Sequence, residues 1–287
     1  MKLIFIIMIV LALTVIACSL ILNRIMFQTV KCVNRQNCHE CYTDKNLRIS
    51  FRSGKNLLTG FLYGSDNKAG LVVISPGMGV TSDYYIPEAL WLAEHGYAVM
   101  MFDNTGYRDN PGHFRGILQA VYDLRAAVHY AEQYRLPITL FGHSMGGYAV
   151  CAVLNYADVT VDRVISVAGF ATIREILHAY AVSNIKKYSS PVELLIRIAQ
   201  FIWFGKMDKF SAVDGINRSD GKIVIAQGKN DEEVSCDTVS IYGKQKLLRK
   251  SNIQYHLFDR GIHSTHMGIV RGDPDEMLNE DLLKYLI

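Results

Sequence analysis

From residue 47 onward the chain alternates short apolar runs with longer stretches that carry apolar residues at helical spacing. This alternation restricts the fold more than any other feature of the sequence. Leu47–Phe51 and Leu57–Tyr63 read as two strands joined by a turn at Ser53-Gly54-Lys55-Asn56. Leu71–Ser75, which stops at Pro76-Gly77, and Tyr97–Phe102 read as buried parallel strands, since a strand covered on both faces has no polar alternation. Ile138–Phe141, Arg163–Ala168, Lys222–Ala226 and Ile253–Phe258 complete the set. Helices are expected over Ser82–His95, Ile117–Tyr134, Met145–Tyr156, Asp237–Lys250 and, at the end, about Glu276–Leu286. Strands separated by helices of this length imply βαβ units with right-handed crossovers, hence an α/β fold with a mostly parallel central sheet flanked by helices.

Two helical stretches, Ala171–Ser183 and Val192–Phe204, interrupt the pattern, and no strand is expected between Gly169 and Gly221. An insertion over about residues 171–215 would lie across the strand ends that carry active sites and form a small helical cap. The alternative is a pair of ordinary crossover helices. A chain of 287 residues suits one well-buried α/β domain, here over 47–287.

The N-terminus reads differently. Leu3–Leu22 carries no charge and is almost wholly apolar, and as a helix its length is roughly 30 Å, the thickness of a bilayer's hydrocarbon core. Residues 1–24 are therefore expected to be an N-terminal membrane anchor or signal, and 25–46 a polar linker. A retained single-pass transmembrane helix fits best, because the apolar run continues past any cleavage point. A cleaved signal peptide is the second reading. The third is a lipoprotein signal, since Val15-Ile16-Ala17-Cys18 has the form that precedes a lipid-modified cysteine. Cys32, Cys38 and Cys41 follow the apolar run and would form a disulfide outside the cytoplasm, or remain free thiols; with His39 they match no zinc spacing. Arg24, Lys31 and Arg35 after the run point instead to a cytoplasmic domain. The two indications disagree, so the side of the membrane stays open. The net charge is +3, with 30 basic and 27 acidic residues and no basic run, which gives no reason to expect a nucleic-acid partner.

Leu140-Phe141-Gly142-His143-Ser144-Met145-Gly146-Gly147 holds a G-x-S-x-G pattern that follows an apolar strand and opens a helix. The spacing serves a sharp strand-to-helix turn. Small residues two before and two after the serine let strand and helix approach, and the hydroxyl is left pointing outward.

These residues resemble the nucleophile elbow of the α/β-hydrolase superfamily, and the resemblance extends over about residues 47–287. It implies a serine nucleophile, Ser144, with an acid and then a histidine further along the chain. The loop Gly228-Lys229-Asn230-Asp231-Glu232-Glu233-Val234 is similar to the family's G-x-x-D-x-x-V segment, which makes Asp231 the acid, with Glu232, Glu233 and Asp237 as rivals. His263, two residues after Gly261, takes the position of the base, with His266 as its rival. The resemblance further implies an oxyanion hole made by the backbone N–H groups of Met145 and, in Ser75-Pro76-Gly77-Met78-Gly79, of Met78. Pro76 stands where many members have histidine, which leaves that register open. Asp103-Asn104-Thr105-Gly106-Tyr107 reads as a structural loop. No metal constellation or phosphate-cradling loop is present, and the family needs no cofactor.

Three functions remain. The first is a membrane-tethered serine esterase, lipase or thioesterase acting on a small acyl ester or lipid. The second is a peptidase on the same residues, for which a carboxylate such as Glu175 or Glu193 would bind a free amine. The third is a catalytically silent scaffold.

Overall fold

A computed structural model of the chain describes residues 2–27, 46–185, 189–259, 263 and 284. Eight strands form one sheet in the order β1-β2-β4-β3-β5-β6-β7-β8. They are β1 (Asn46–Ser53), β2 (Asn56–Tyr63), β3 (Leu71–Ser75), β4 (Ala98–Phe102), β5 (Ile138–His143), β6 (Arg163–Val167), β7 (Lys222–Gly228) and β8 (Ile253–Phe258). β1 and β2 are a hairpin, and β2 runs antiparallel to β4. From β4 to β8 every pairing is parallel.

Every residue of β3, β4 and β5 is buried, which is why their sequences carry no polar alternation. Alternate side chains feed two apolar layers. Leu71, Val73, Met100 and Leu140 face one, together with α3 (Ile117–Ala131) and α4 (Met145–Ala152). Val72, Ile74, Met101 and Phe141 face the other, with α2 (Ile86–Glu94). β3 has β4 on one side and β5 on the other, so the chain order reverses at β3. Ligands of open α/β sheets bind in the crevice at such a reversal, outside the C-terminal strand ends. The register pairs Ser75 with Gly142, which sets the loop after β3 beside the turn after β5.

Between β6 and β7 lie α5 (Ile173–Ile185), α6 (Ser189–Phe204) and α7 (Ala212–Arg218). α7 was not expected from the sequence; Ser211 caps its start by accepting from the Asp214 N–H. One expected helix is absent. Asp237–Lys250 forms turns and a 3₁₀ segment, Tyr242–Leu247, instead of an α-helix. Ser240 is the cause: its backbone bridges Phe170, while its hydroxyl donates to the Cys236 carbonyl and accepts from the Gly243 N–H. A serine that offers the backbone local partners competes with helix. The helix expected over Glu276–Leu286 lies outside the described residues, as do Cys32, Cys38 and Cys41.

α1 (Lys2–Met26) is long and apolar enough to cross a membrane, and its most apolar 18-residue window is only 6% buried, unlike a core helix. Its last turns pack along α6.

Candidate active site

Ser144 follows β5 directly and has φ 57° and ψ −119°, a left-handed conformation that non-glycine residues rarely hold. The flanking glycines explain how the turn closes. A Cβ on Gly142 would overlap the Gly146 carbonyl, and one on Gly146 would overlap the Ser75 carbonyl. The Ser144 N–H donates to the Val167 carbonyl at 2.9 Å and its carbonyl accepts from Tyr148 at 3.0 Å, which fixes the turn between β6 and α4. The residue is left half-buried, and its hydroxyl makes no hydrogen bond among the described residues.

The Met145 N–H is the first of α4, so it has no intrahelical acceptor. The loop after β3 offers a second such donor. Gly77 N–H donates to the Tyr85 hydroxyl at 2.8 Å, and Gly79 N–H to the Tyr107 hydroxyl at 3.2 Å. Met78 lies between them, and its N–H has no partner among the described residues. Burial pushes the Tyr107 phenol up to about 12, so it stays neutral and keeps accepting. The loop 103–107 expected to be structural braces this corner: Asp103 accepts from the Ser82 N–H at 2.7 Å and from Arg108 at 2.7 Å. Burial raises the Asp103 carboxyl above its usual range, against the pull of Arg108.

Asp231 and His263 meet on the other side. The His263 Nδ1 lies 3.1 and 3.0 Å from the two Asp231 oxygens. A carboxylate only accepts, so Nδ1 carries the proton and Nε2 is the basic nitrogen. Asp231 is itself held by the N–H groups of Glu233 (3.0 Å) and Val234 (2.8 Å) and by the Gln227 amide (3.0 Å). Glu232, Glu233 and Asp237 are exposed. Of these, Glu233 reaches the other ring nitrogen, with its Oε2 3.6 Å from Nε2, and the Tyr180 hydroxyl of α5 lies 3.5 Å from the same oxygen. His266 lies outside the described residues.

His143 joins the two halves. Its Nε2–H donates to the His263 carbonyl at 3.0 Å, and the two rings lie 4.8 Å apart. Sequence reading assigned no individual role to His143 or Tyr85, and it placed Tyr107 only within a structural loop. His143 occupies an unrestricted position of the motif, and the phenols are brought in from other segments, so no local pattern marks them.

A cavity of about 750 Å³ opens between α5, α6 and residues Thr238 and Val239; none of Ser144, Asp231 and His263 lines it. Glu175 and Glu193 do, but each is already paired, Glu175 with Lys244 at 2.5 Å and Glu193 with His178 at 3.1 Å and Arg174 at 3.7 Å. Among the described residues no group of three or more His, Cys, Asp or Glu is arranged to hold a metal. Cys151 is buried, which pushes its thiol up to about 12.

A parallel sheet that reverses at its third strand and carries a strained serine between strand and helix defines an α/β-hydrolase. The model of the family described as serine aminopeptidase, S33, matches residues 66–241, more than half of the chain, and the chain belongs to that serine hydrolase family. No curated protein matches it by sequence. Solved structures are similar in fold. The Pyrococcus furiosus esterase Pf2001 aligns with a TM-score of 0.60 at 14% identity, over 91% of this chain and 95% of that one. Est1E of Butyrivibrio proteoclasticus, solved with ferulic acid, gives 0.61 at 16%, over 83% and 97%. Pyrococcus horikoshii acylaminoacyl peptidase gives 0.58 at 17%, over 80% of this chain but 39% of that longer one.

Proposed function

We propose that the protein hydrolyses a carboxylic ester or thioester with an acyl-like or lipid-like acid part, through Ser144, His263 and Asp231. The observation that carries this reading is the strained Ser144 turn set beside an Asp231–His263 pair, with His143 bonded across the two. In the first step the Ser144 Oγ attacks the carbonyl carbon and its proton passes to His263 Nε2. Asp231 holds the ring and stabilises the imidazolium. The N–H groups of Met145 and Met78 receive the developing oxyanion. The C–O or C–S bond then breaks, the leaving group takes the proton from Nε2, and an acyl-enzyme remains. Water, deprotonated by the same nitrogen, releases the acid and restores the serine. In the resting structure Nε2 faces Glu233, so substrate binding has to draw the ring toward Ser144; catalytic hydrogen bonds commonly tighten only at that stage.

A peptidase on the same residues is the second reading, favoured by the family's description. Against it, Glu175 is already paired with Lys244 and Glu193 with Arg174, so neither offers a lone carboxylate to a free amine. α1 is read as a retained anchor: Asn23 near its end bonds to Gln200 of α6 at 2.7 Å, a contact for which a discarded signal has no use.

Labelling by a fluorophosphonate tests the reading. The native chain is expected to label and Ser144→Ala not to. A folded native chain that fails to label is the silent scaffold. Hydrolysis of acyl esters rising with chain length supports the lipid-like substrate, whereas release of N-terminal residues from peptides selects the peptidase.

A further inference from the structure

The apolar run Leu3–Leu22 has just the length that a bilayer requires, about 20 residues or roughly 30 Å. One face of its far end is nevertheless packed against protein. Val15, Ser19, Leu20, Leu22, Asn23 and Phe27 are buried or half-buried, and α6 is the element packed along this helix. The contact is specific: the Gln200 amide donates to Asn23 Oδ1 at 2.7 Å and to the Arg115 carbonyl at 2.5 Å. If the catalytic domain stood wholly in water, the helix left for the bilayer would be Leu3–Thr14, twelve residues, or roughly 18 Å, too short for the hydrocarbon core. The span and the packing can coexist only if α6 enters the membrane too.

The side chains of α6 meet that requirement. Ile196, Ala199 and Gln200 are buried on one face. The opposite face carries Leu194, Ile198, Phe201 and Ile202 at helical spacing; Phe201 is 59% exposed and Leu194 57%. An outward apolar stripe of this kind marks an interaction surface. Trp203 is 41% exposed, with the Arg115 guanidinium 4.0 Å from its ring, and the exposed Lys206 and Lys209 follow. Tryptophan and cations are the residues that gather where hydrocarbon meets headgroups. The hydroxyls within α1 are turned back on their own helix, Thr14 to the Val10 carbonyl and Ser19 to the Val15 carbonyl, as hydrocarbon demands.

We infer that the outward face of α6 is a lipid-contact surface that seats the catalytic domain in the bilayer crossed by α1, rather than above it. The overlap of Val15–Leu22 with α6 sets the depth at eight residues of helix, roughly 12 Å. This rests on reading α1 as a retained anchor.

Trp203 reports on it directly, because the other tryptophan, Trp91, is buried against the sheet and Trp91→Phe leaves a single fluorophore. The full chain is placed in vesicles of equimolar phosphatidylcholine and phosphatidylglycerol. Phosphatidylcholine brominated on upper acyl carbons is expected to remove roughly half of the Trp203 emission, as for a side chain ~5–10 Å below the headgroups, and aqueous acrylamide to remove little. If Trp91→Phe does not fold, the difference between the native chain and Trp203→Phe gives the same signal. Quenching by acrylamide alone overturns the inference, and so does quenching by neither, which means that protein covers Trp203 at the seam between α6 and α1. Alkaline carbonate extraction separates the two readings. A chain that resists extraction while Trp203 sits in water keeps the anchor and loses the seat; a chain that is extracted loses both.

Discussion

The two halves of the candidate site are held together by different physics. Around Ser144 the backbone does the work. Gly142, Gly146 and the Ser75 carbonyl pack without room for a methyl group, and main-chain bonds to Val167 and Tyr148 lock the turn. Around His263 a side-chain contact does the work: the ring is held by the Asp231 carboxylate, which Gln227 and two backbone N–H groups hold in turn. Close-packed backbone has few alternative arrangements, so the Ser144 turn is fixed in advance. A histidine held by side chains can turn, and here it lies between Asp231 and Glu233. The Ser144 half is fixed by close backbone packing and the His263 half by polar partners.

The largest effect that tests this division is Asp231→Asn. Loss of the acceptor frees the ring to take the wrong tautomer, and kcat is expected to fall on the order of 10⁴-fold with little change in KM. A fall under tenfold would move the role to Glu233.

Asp123 is the control. It too is a buried carboxylate held by side chains, bonded to Ser53, Thr105 and Gln119, but with no imidazole beside it. Burial raises its carboxyl from 3.8 to about 6. A raised folded-state pKa means stability that is full below pH 3.8 and lost as the pH rises through about 6. The loss amounts to roughly 3 kcal/mol at ~1.4 kcal/mol per pH unit. Asp123→Asn is expected to abolish this slope in melts between pH 4 and 6 and to leave the pH profile of kcat unaltered. A shifted kcat profile would tie Asp123 to the chemistry.

His143→Phe comes next. It keeps a ring against His263 and removes the donor to the His263 carbonyl, so kcat should drop about 10- to 100-fold through misplacement of the base. Fluorophosphonate labelling should slow in parallel while the melting temperature holds. Equal loss of kcat and of stability would make His143 a packing residue only.

The smallest effect on stability should be a gain. Ser144→Gly relieves the positive φ and is expected to stabilise the chain by about 1 kcal/mol while abolishing activity. No gain in a thermal melt would mean that the elbow stores no strain.

The same division explains what the sequence disclosed. Strands β3 to β7 were legible because buried parallel strands leave continuous apolar runs, β1 and β2 because a turn separates them, and the elbow because its glycines are a local steric demand. Asp231 and His263 were placed by their order after strands, and the structure brings them within 3.0 Å. What escaped is built from contacts between distant segments. The tyrosines that bracket Met78 lie 8 and 28 residues from the glycines they accept from. Asp237–Lys250 misled because apolar spacing cannot reveal that Ser240 bonds locally and that its backbone pairs with Phe170.

The clasp between Asn23 and Gln200 joins residues 177 positions apart. During synthesis the N-terminal segment emerges first and has to wait for most of the chain before its partner exists. Loop-closure cost grows only slowly with length, so the delay is one of time rather than of free energy. Domains acquire structure as they leave the ribosome, and the sheet through β6 can form while α6 is still being made. If α1 is the retained anchor proposed above, α6 then settles against a helix that is already in the bilayer.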